Sequence, residues 1–236
     1  MDKWIGKVSV VTGASAGIAR RSEKIEEYAK ESGETLGKIY ARKCDISDKQ
    51  SVKETFQWIE QQFGTINILV NNAAILYNGS ILDPGDDAME QLNHVVQTNF
   101  IGAVQCSREA IRLIEKSCDY GLVININSIA GNYVPFSMGT NVYAASKHAL
   151  RAFTDTLRHE LVVKNNNKIR VSNLSPGVVE TEMAVAAGMV TDASLIYKHL
   201  PHLSSENVSE SVMFLLQVPH NVNITQLTIQ PVGEKA

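Results

Sequence analysis

The chain has 236 residues, enough to bury a sizeable core within one domain spanning residues 1–236, and its formal charge of −3 provides no basic field for nucleic acid. No run approaches the ~20 apolar residues of a membrane helix, which points to a soluble, cytoplasmic protein without a membrane partner. Cys44, Cys106 and Cys118 are odd in number and lack C-x-x-C spacing, which argues against a disulfide framework and a metal site.

The predicted elements alternate. Residues 8–12 form a valine-rich apolar run ending at Gly13, the pattern of a buried parallel strand entering a turn. That turn holds Gly13, Ser15, Gly17 and Ile18, and its glycines let backbone N–H groups approach a pyrophosphate at a helix start. A helix is expected over 22–32, a strand over 38–42, and a helix capped by Ser47 or Asp48 through 62. A strand over 66–70 leads into Asn71-Asn72-Ala73-Ala74, followed by a long helix over 87–116 and a strand over 122–126 that ends before Ser128. The helix over 141–164 shows Ala145, Ala149, Phe153, Leu157 and Leu161 at four-residue steps, an apolar stripe. A strand over 169–174, a helix over 205–217 with Ser205 as candidate cap, and a strand over 224–229 complete the series. Strands alternating with helices imply a three-layer α/β fold, a Rossmann-like doubly wound parallel sheet whose ligands collect beyond the carboxyl ends of the strands.

Tyr143 and Lys147 stand four residues apart, so a helix places both on one face with the ammonium beneath the phenol. A free tyrosine titrates near ~10 and is a poor base at neutral pH; a cation nearby favours the phenolate. Ser128, at the end of a strand, offers a hydroxyl to the oxygen that gains or loses charge. The trio reads as an acid–base with a substrate clamp.

These motifs occur in an order that resembles the short-chain dehydrogenase/reductase family from about Val8 to the C-terminus: the Gly-rich turn, Asn-Asn-Ala-Ala, Ser128 with Tyr-x-x-x-Lys, and Pro176-Gly177 followed by Thr181. In detail the motifs are most similar to the subgroup of insect farnesol dehydrogenases and vertebrate member 11-type carbonyl reductases. The resemblance implies a fourth catalytic residue, Asn99, which supports a water relaying protons to Lys147. It also implies that Lys147 holds the nicotinamide ribose, that Asn72 and its small neighbours admit the adenine ribose, and that Pro176, Val179 and Thr181 lie by the nicotinamide carboxamide. NADP(H) is the favoured cofactor, with NAD(H) as the other possibility, and the family's dimers and tetramers imply a homo-oligomer. The implied activity interconverts a small apolar alcohol and its carbonyl: farnesol-like isoprenoids first, ketosteroids and diketones second. Loop 182–203 carries Met183, Met189, Leu195, Ile196, Tyr197 and Leu200, consistent with an apolar ligand, although Met and Leu at helical spacing more often pack than line a pocket.

One departure from the family pattern matters. After Ile18 the chain continues at once into Ala19-Arg20-Arg21, the motif whose basic side chains hold the adenosine 2′-phosphate in the family, so roughly 18–20 residues of helix and strand are absent. The expected consequence is a sheet one strand narrower. The helix over 22–32 takes the vacant first-helix position and the strand over 38–42 moves in beside strand one, because an uncovered first strand would leave buried backbone groups unpaired. Arg20 and Arg21 then start a helix, while Asp45 ends the strand beside strand one, where an acid holds a ribose 2′-OH and selects NAD, with Ile46 walling the adenine. The competing expectation is a truncated variant that binds cofactor weakly and serves as a partner subunit.

Overall fold

The computed structural model describes residues 2–14, 37–117, 119–136, 140–192, 194–198 and 200–235. The five strands β1 (Ser9–Val11), β2 (Ile68–Asn71), β3 (Gly121–Ile126), β4 (Ile169–Pro176) and β5 (Gln226–Ile229) form one parallel sheet in that spatial order. β2 is buried at every position and β3 at all but Ile126, as a strand covered on both faces must be. Alternate residues feed two separate cores. Leu69, Val123 and Val171 join Phe56, Cys106 and Leu113 on one face, while Ile68, Leu122, Ile124 and Leu174 join Leu215 on the other. Each such side chain contributes about 1.5–3 kcal/mol on burial, which fixes the sheet between its helical layers.

On the first face lie α1 (Lys49–Phe63), α2 (Asp86–Val96), α3 (Ala103–Lys116) and α4 (Tyr143–Val163). Asp48 caps α1 by accepting hydrogen bonds from the N–H groups of Gln50 and Ser51. The helix expected over 87–116 is found with a π-helical turn, Gln97–Gly102, between α2 and α3. Gly102 sits there against Ile46, where a Cβ would come within 2.8 Å of the Ile46 carbonyl oxygen. Two short helices, α5 (Met183–Ala186) and α6 (Ser194–Tyr197), precede α7 (Ser205–Gln217), which is capped one residue earlier than expected by a Ser204/Asn207 capping box.

One expectation is corrected. Residues 37–45 carry no strand. Tyr40 instead turns its ring to Phe63 at 5.1 Å and Trp58 at 6.4 Å, and the Arg42 guanidinium lies 5.0 Å from the Trp58 ring, so the segment docks on α1. Among the described residues β1 therefore pairs with β2 alone. The four-residue stripe of α4 runs beside its buried face and joins it only at Leu161: Ala145 is exposed and Ala149, Phe153 and Leu157 are half-buried. Steps of four outrun the 3.6-residue turn by ~40° each, so the stripe drifts, and Ala144, Lys147, Leu150, Thr154 and Leu161 face the sheet. The helix expected over 22–32 lies outside the described residues.

Candidate active site

The carboxyl ends of β1 to β4 carry the site. Asn99 lies in the π-helical turn, 1% exposed, a local geometry that recurs where helices serve function. Its Oδ1 accepts from the Ile75 N–H at 2.8 Å and its Nδ2 donates to the Ile75 carbonyl at 2.9 Å. The same Nδ2 reaches Ser146 Oγ at 3.2 Å, and that hydroxyl donates to the Tyr143 carbonyl at 2.7 Å. The segment after β2 and the first turn of α4 are thus tied through one carboxamide.

Ser128 follows β3 and caps the 3₁₀ turn Ile129–Gly131, its Oγ accepting from the Ala130 N–H at 3.1 Å. The same side chain hydrogen-bonds Tyr143. Burial pushes the Tyr143 phenol above its ordinary range, and the Ser128 bond draws it back down. Lys147 Nζ stands 5.7 Å from the centre of the Tyr143 ring, as the i, i+4 spacing requires, and donates to the Ile126 carbonyl at 3.0 Å. The lysine is only 2% exposed, and burial brings its pKa down to about 8. It is still a cation at neutral pH, with N–H capacity beyond its one hydrogen bond among the described residues. That spare capacity, inside the cleft, fits the hydroxyls of a ribose.

At the other end of the cleft, Thr12 Oγ1 accepts from the N–H groups of Asn72 and Ala73, each at 3.1 Å. Asn72 Nδ2 answers by donating to the carbonyls of Thr12 at 3.0 Å and Gly13 at 3.1 Å. Gly13 has φ +64°, and a Cβ there would lie 2.6 Å from Ala73 Cα. Only glycine lets the two turns close to this distance. Ser15, Gly17, Ile18, Arg20 and Arg21 lie outside the described residues.

Asp45 ends no strand. Its Oδ1 accepts from the Ser47 N–H at 2.9 Å and the Ser47 hydroxyl at 2.7 Å, an Asx turn leading to the α1 cap, and Ile46 is packed into the core at 6% exposure. The expected strand ending at Asp45 does not form, although its neighbours Cys44 and Ile46 share a core cluster with Val8 and Val10.

Residues 176–181, after β4, are held from outside. The Gly177 N–H donates to the Ile229 carbonyl at 2.8 Å, and the Glu234 carboxylate accepts from the Val178 N–H at 2.9 Å. Glu234 occupies the space a Gly177 side chain would take. Tyr197, expected among apolar lining residues, is 9% exposed and spends its hydroxyl on the backbone of Val179 and Thr181. A cleft of about 650 Å³ opens between residues 200–203, α7 and residues 229–232; Asn99, Ser128, Tyr143 and Lys147 do not line it, so it is distinct from the reactive groups. Among the described residues no helix is long and apolar enough to cross a membrane, and no three His, Cys, Asp or Glu converge as metal ligands.

Thr12, Ser146, Tyr197 and Glu234 were missed as site-building residues. Ser146 alone had a signal, a hydroxyl at i+3 from Tyr143 able to bond back to its carbonyl. The others depend on contacts between segments far apart in the chain.

A doubly wound parallel sheet with this order of motifs at its carboxyl edge defines a nucleotide-dependent oxidoreductase of the Rossmann-like kind. Residues 12–189 match the short chain dehydrogenase family, and the chain belongs to it. It is 38% identical to a farnesol dehydrogenase of Aedes aegypti over 255 aligned positions, covering all of both chains. Those 255 positions exceed the 236 residues by 19, in keeping with the segment absent after Ile18. It is 31% identical to dehydrogenase/reductase SDR family member 11 of Homo sapiens, covering 98% of this chain and 96% of that one. A solved closed form of serine dehydrogenase complexed with NADP+ superposes with a TM-score of 0.83 at 27% identity, covering 97% and 96% of the two chains.

Proposed function

We propose that the protein is an NADP(H)-dependent oxidoreductase that interconverts an apolar alcohol, an isoprenoid such as farnesol first, and its carbonyl. The observation that carries the reading is the Tyr143–Lys147–Ser128 geometry: a buried cation beneath a phenol that already hydrogen-bonds a serine. In the reducing direction Tyr143 gives its O–H proton to the carbonyl oxygen while Ser128 Oγ donates a hydrogen bond to the same atom, so charge developing there meets two fixed donors. Lys147 then stabilises the phenolate left behind, and its spare N–H groups hold the ribose. Asn99 keeps residues 72–75 and the start of α4 in register, the arrangement suited to a water relay toward Lys147. The nicotinamide, when bound, supplies or accepts the hydride. In oxidation the same residues act in reverse, with Tyr143 as base.

Preference for NADP(H) is supported by Asp45, whose Oδ1 is engaged by Ser47 in a local turn and which ends no strand beside β1. An uncharged substrate is supported by the exposed Met189 on the loop after β4. A homo-oligomer is the assembly proposed for it.

The test mixes purified protein with NADPH and a diketone, or with NADP+ and farnesol, and follows absorbance at 340 nm. Turnover that falls by about 100-fold or more in Tyr143→Phe is expected. No turnover by the wild type with any alcohol or carbonyl would leave the non-catalytic partner subunit as the reading.

A further inference from the structure

Loop 182–203 leaves the turn after β4 and comes back to it, and the return is fastened at several points. The Leu203 N–H donates to the Val178 carbonyl at 2.8 Å, and the Glu180 N–H donates to the Leu203 carbonyl at 2.8 Å, an isolated parallel bridge. Tyr197 supplies the innermost fastening. Its hydroxyl accepts from the Thr181 N–H at 3.0 Å and shares its own proton between the carbonyls of Val179 at 3.1 Å and Thr181 at 3.0 Å. One side-chain oxygen therefore meets three backbone groups of residues 179–181, which among the described residues pair with no strand of the sheet. His202 packs on the Tyr197 ring with centres 5.2 Å apart, and its Nε2 lies 3.8 Å from the Glu180 carboxylate, bracing the same limb.

The order of the strands gives this turn its place. Gly13 ends the β1 side of the cleft, Asn72 the β2 side and Ser128 the β3 side, so residues 176–181 at the end of β4 flank the reactive pair on the side away from β1. A dinucleotide laid across the carboxyl edge with its reactive ring beside Tyr143 has that ring against this turn.

We propose that Tyr197 is a positioning residue of the reaction: its hydroxyl fixes residues 179–181 as the wall against which the nicotinamide ring is held. The inference rests on the hydride-transfer reading and goes beyond it, because loop 182–203 thereby sets cofactor geometry as well as bounding the substrate. It separates two parts of cofactor binding. The adenosine and phosphate end is unaffected by Tyr197, and the nicotinamide end depends on it.

The test uses the full chain and Tyr197→Phe, which keeps the buried ring and removes only the hydroxyl. Dissociation constants are measured for NADPH and for 2′-phospho-ADP-ribose, the same molecule without its nicotinamide. The variant is expected to bind NADPH about tenfold more weakly while its affinity for the fragment stays within about twofold, a loss matching one or two hydrogen bonds. Amide hydrogen exchange read on the folded protein supplies a ligand-free measurement: the Thr181 N–H exchanges faster in the variant. Equal weakening of both ligands, or no weakening of NADPH, overturns the proposal whatever the exchange at Thr181, and leaves the hydride-transfer reading intact. A wild type that binds neither ligand removes both.

Discussion

Asn99 and Ile75 are joined by a two-way clasp: the carboxamide accepts from the Ile75 N–H at 2.8 Å and donates to the Ile75 carbonyl at 2.9 Å, as a strand neighbour would. The helix reaches this position only because the π-helical turn Gln97–Gly102 carries one Asn side chain out to meet a backbone that has left the sheet.

Removing the clasp has a stability signature apart from any effect on turnover. Asn99→Ala leaves two part-buried backbone groups unpaired, at a cost of about 1–3 kcal/mol for the pair. The melting midpoint should fall by several degrees, ~2–4 °C per kcal/mol for a chain of this size. Asn99→Asp, which keeps the acceptor and loses the donor, should restore only part of it. A midpoint unchanged in both variants contradicts the clasp.

Lys147 carries a charge where burial disfavours it, and the sign of its pH dependence follows. Folding brings its pKa from the ordinary 10.5 to about 8, so between those values the unfolded chain holds more protons than the folded one. Stability from this group is flat below about 8 and rises as pH rises through that window. Lys147→Met removes the buried charge; it should raise the melting midpoint at pH 7 and abolish activity, with the midpoint advantage over the wild type shrinking between pH 8 and 10.5. Melts of both proteins across pH 7–10.5 check the trend.

Ser128 acts on Tyr143 in the opposite direction from burial. Ser128→Ala leaves burial unopposed, so the phenol ionises at higher pH. In alcohol oxidation, where the phenolate is the base, the rising limb of the pH–rate profile should move to higher pH, and the rate on its plateau should drop by about 100-fold as a donor to the substrate oxygen is lost. A profile that keeps its inflection and loses only amplitude contradicts the hydrogen bond.

The fold was largely legible because short apolar runs between helical segments mark strands: five of the six predicted strands form, and the central three, β2, β3 and β4, are buried along nearly their whole length as a strand covered on both faces must be. Residues 38–42 mimic that pattern but lie on α1, since Tyr40 finds Phe63 and Trp58 there; a local apolar run does not say which surface buries it. Within the site, spacing alone brought Tyr143 and Lys147 together, because one helix carries both. Asn99 needed the family resemblance, and its clasp on Ile75 needed the π-helical turn, which no local propensity encodes. The bonds of the Tyr197 hydroxyl were not legible because its partners are backbone groups 16 and 18 residues upstream.

Gly13 makes the close approach of the first two turns possible. In Gly13→Ala the Cβ would lie 2.6 Å from Ala73 Cα at a positive φ, and Ala73 is backbone and cannot turn aside. The substitution should cost about 1–3 kcal/mol and lower the melting midpoint accordingly. Gly177→Ala provides the contrast: its Cβ meets the Glu234 carboxylate, the end of a flexible side chain, so the midpoint should change little.

The central claim is that a proton from Tyr143 and a hydride from a nicotinamide arrive at one substrate carbon–oxygen bond. Its most direct measurement incubates the protein with an isoprenoid aldehyde and NADPH deuterated at the transferring C4 position, and analyses the alcohol by mass spectrometry. The account predicts one deuterium on the carbinol carbon with the wild type, and formation at least about 100-fold slower with Tyr143→Phe. Alcohol without deuterium, or labelled alcohol formed as fast by Tyr143→Phe as by the wild type, would contradict it.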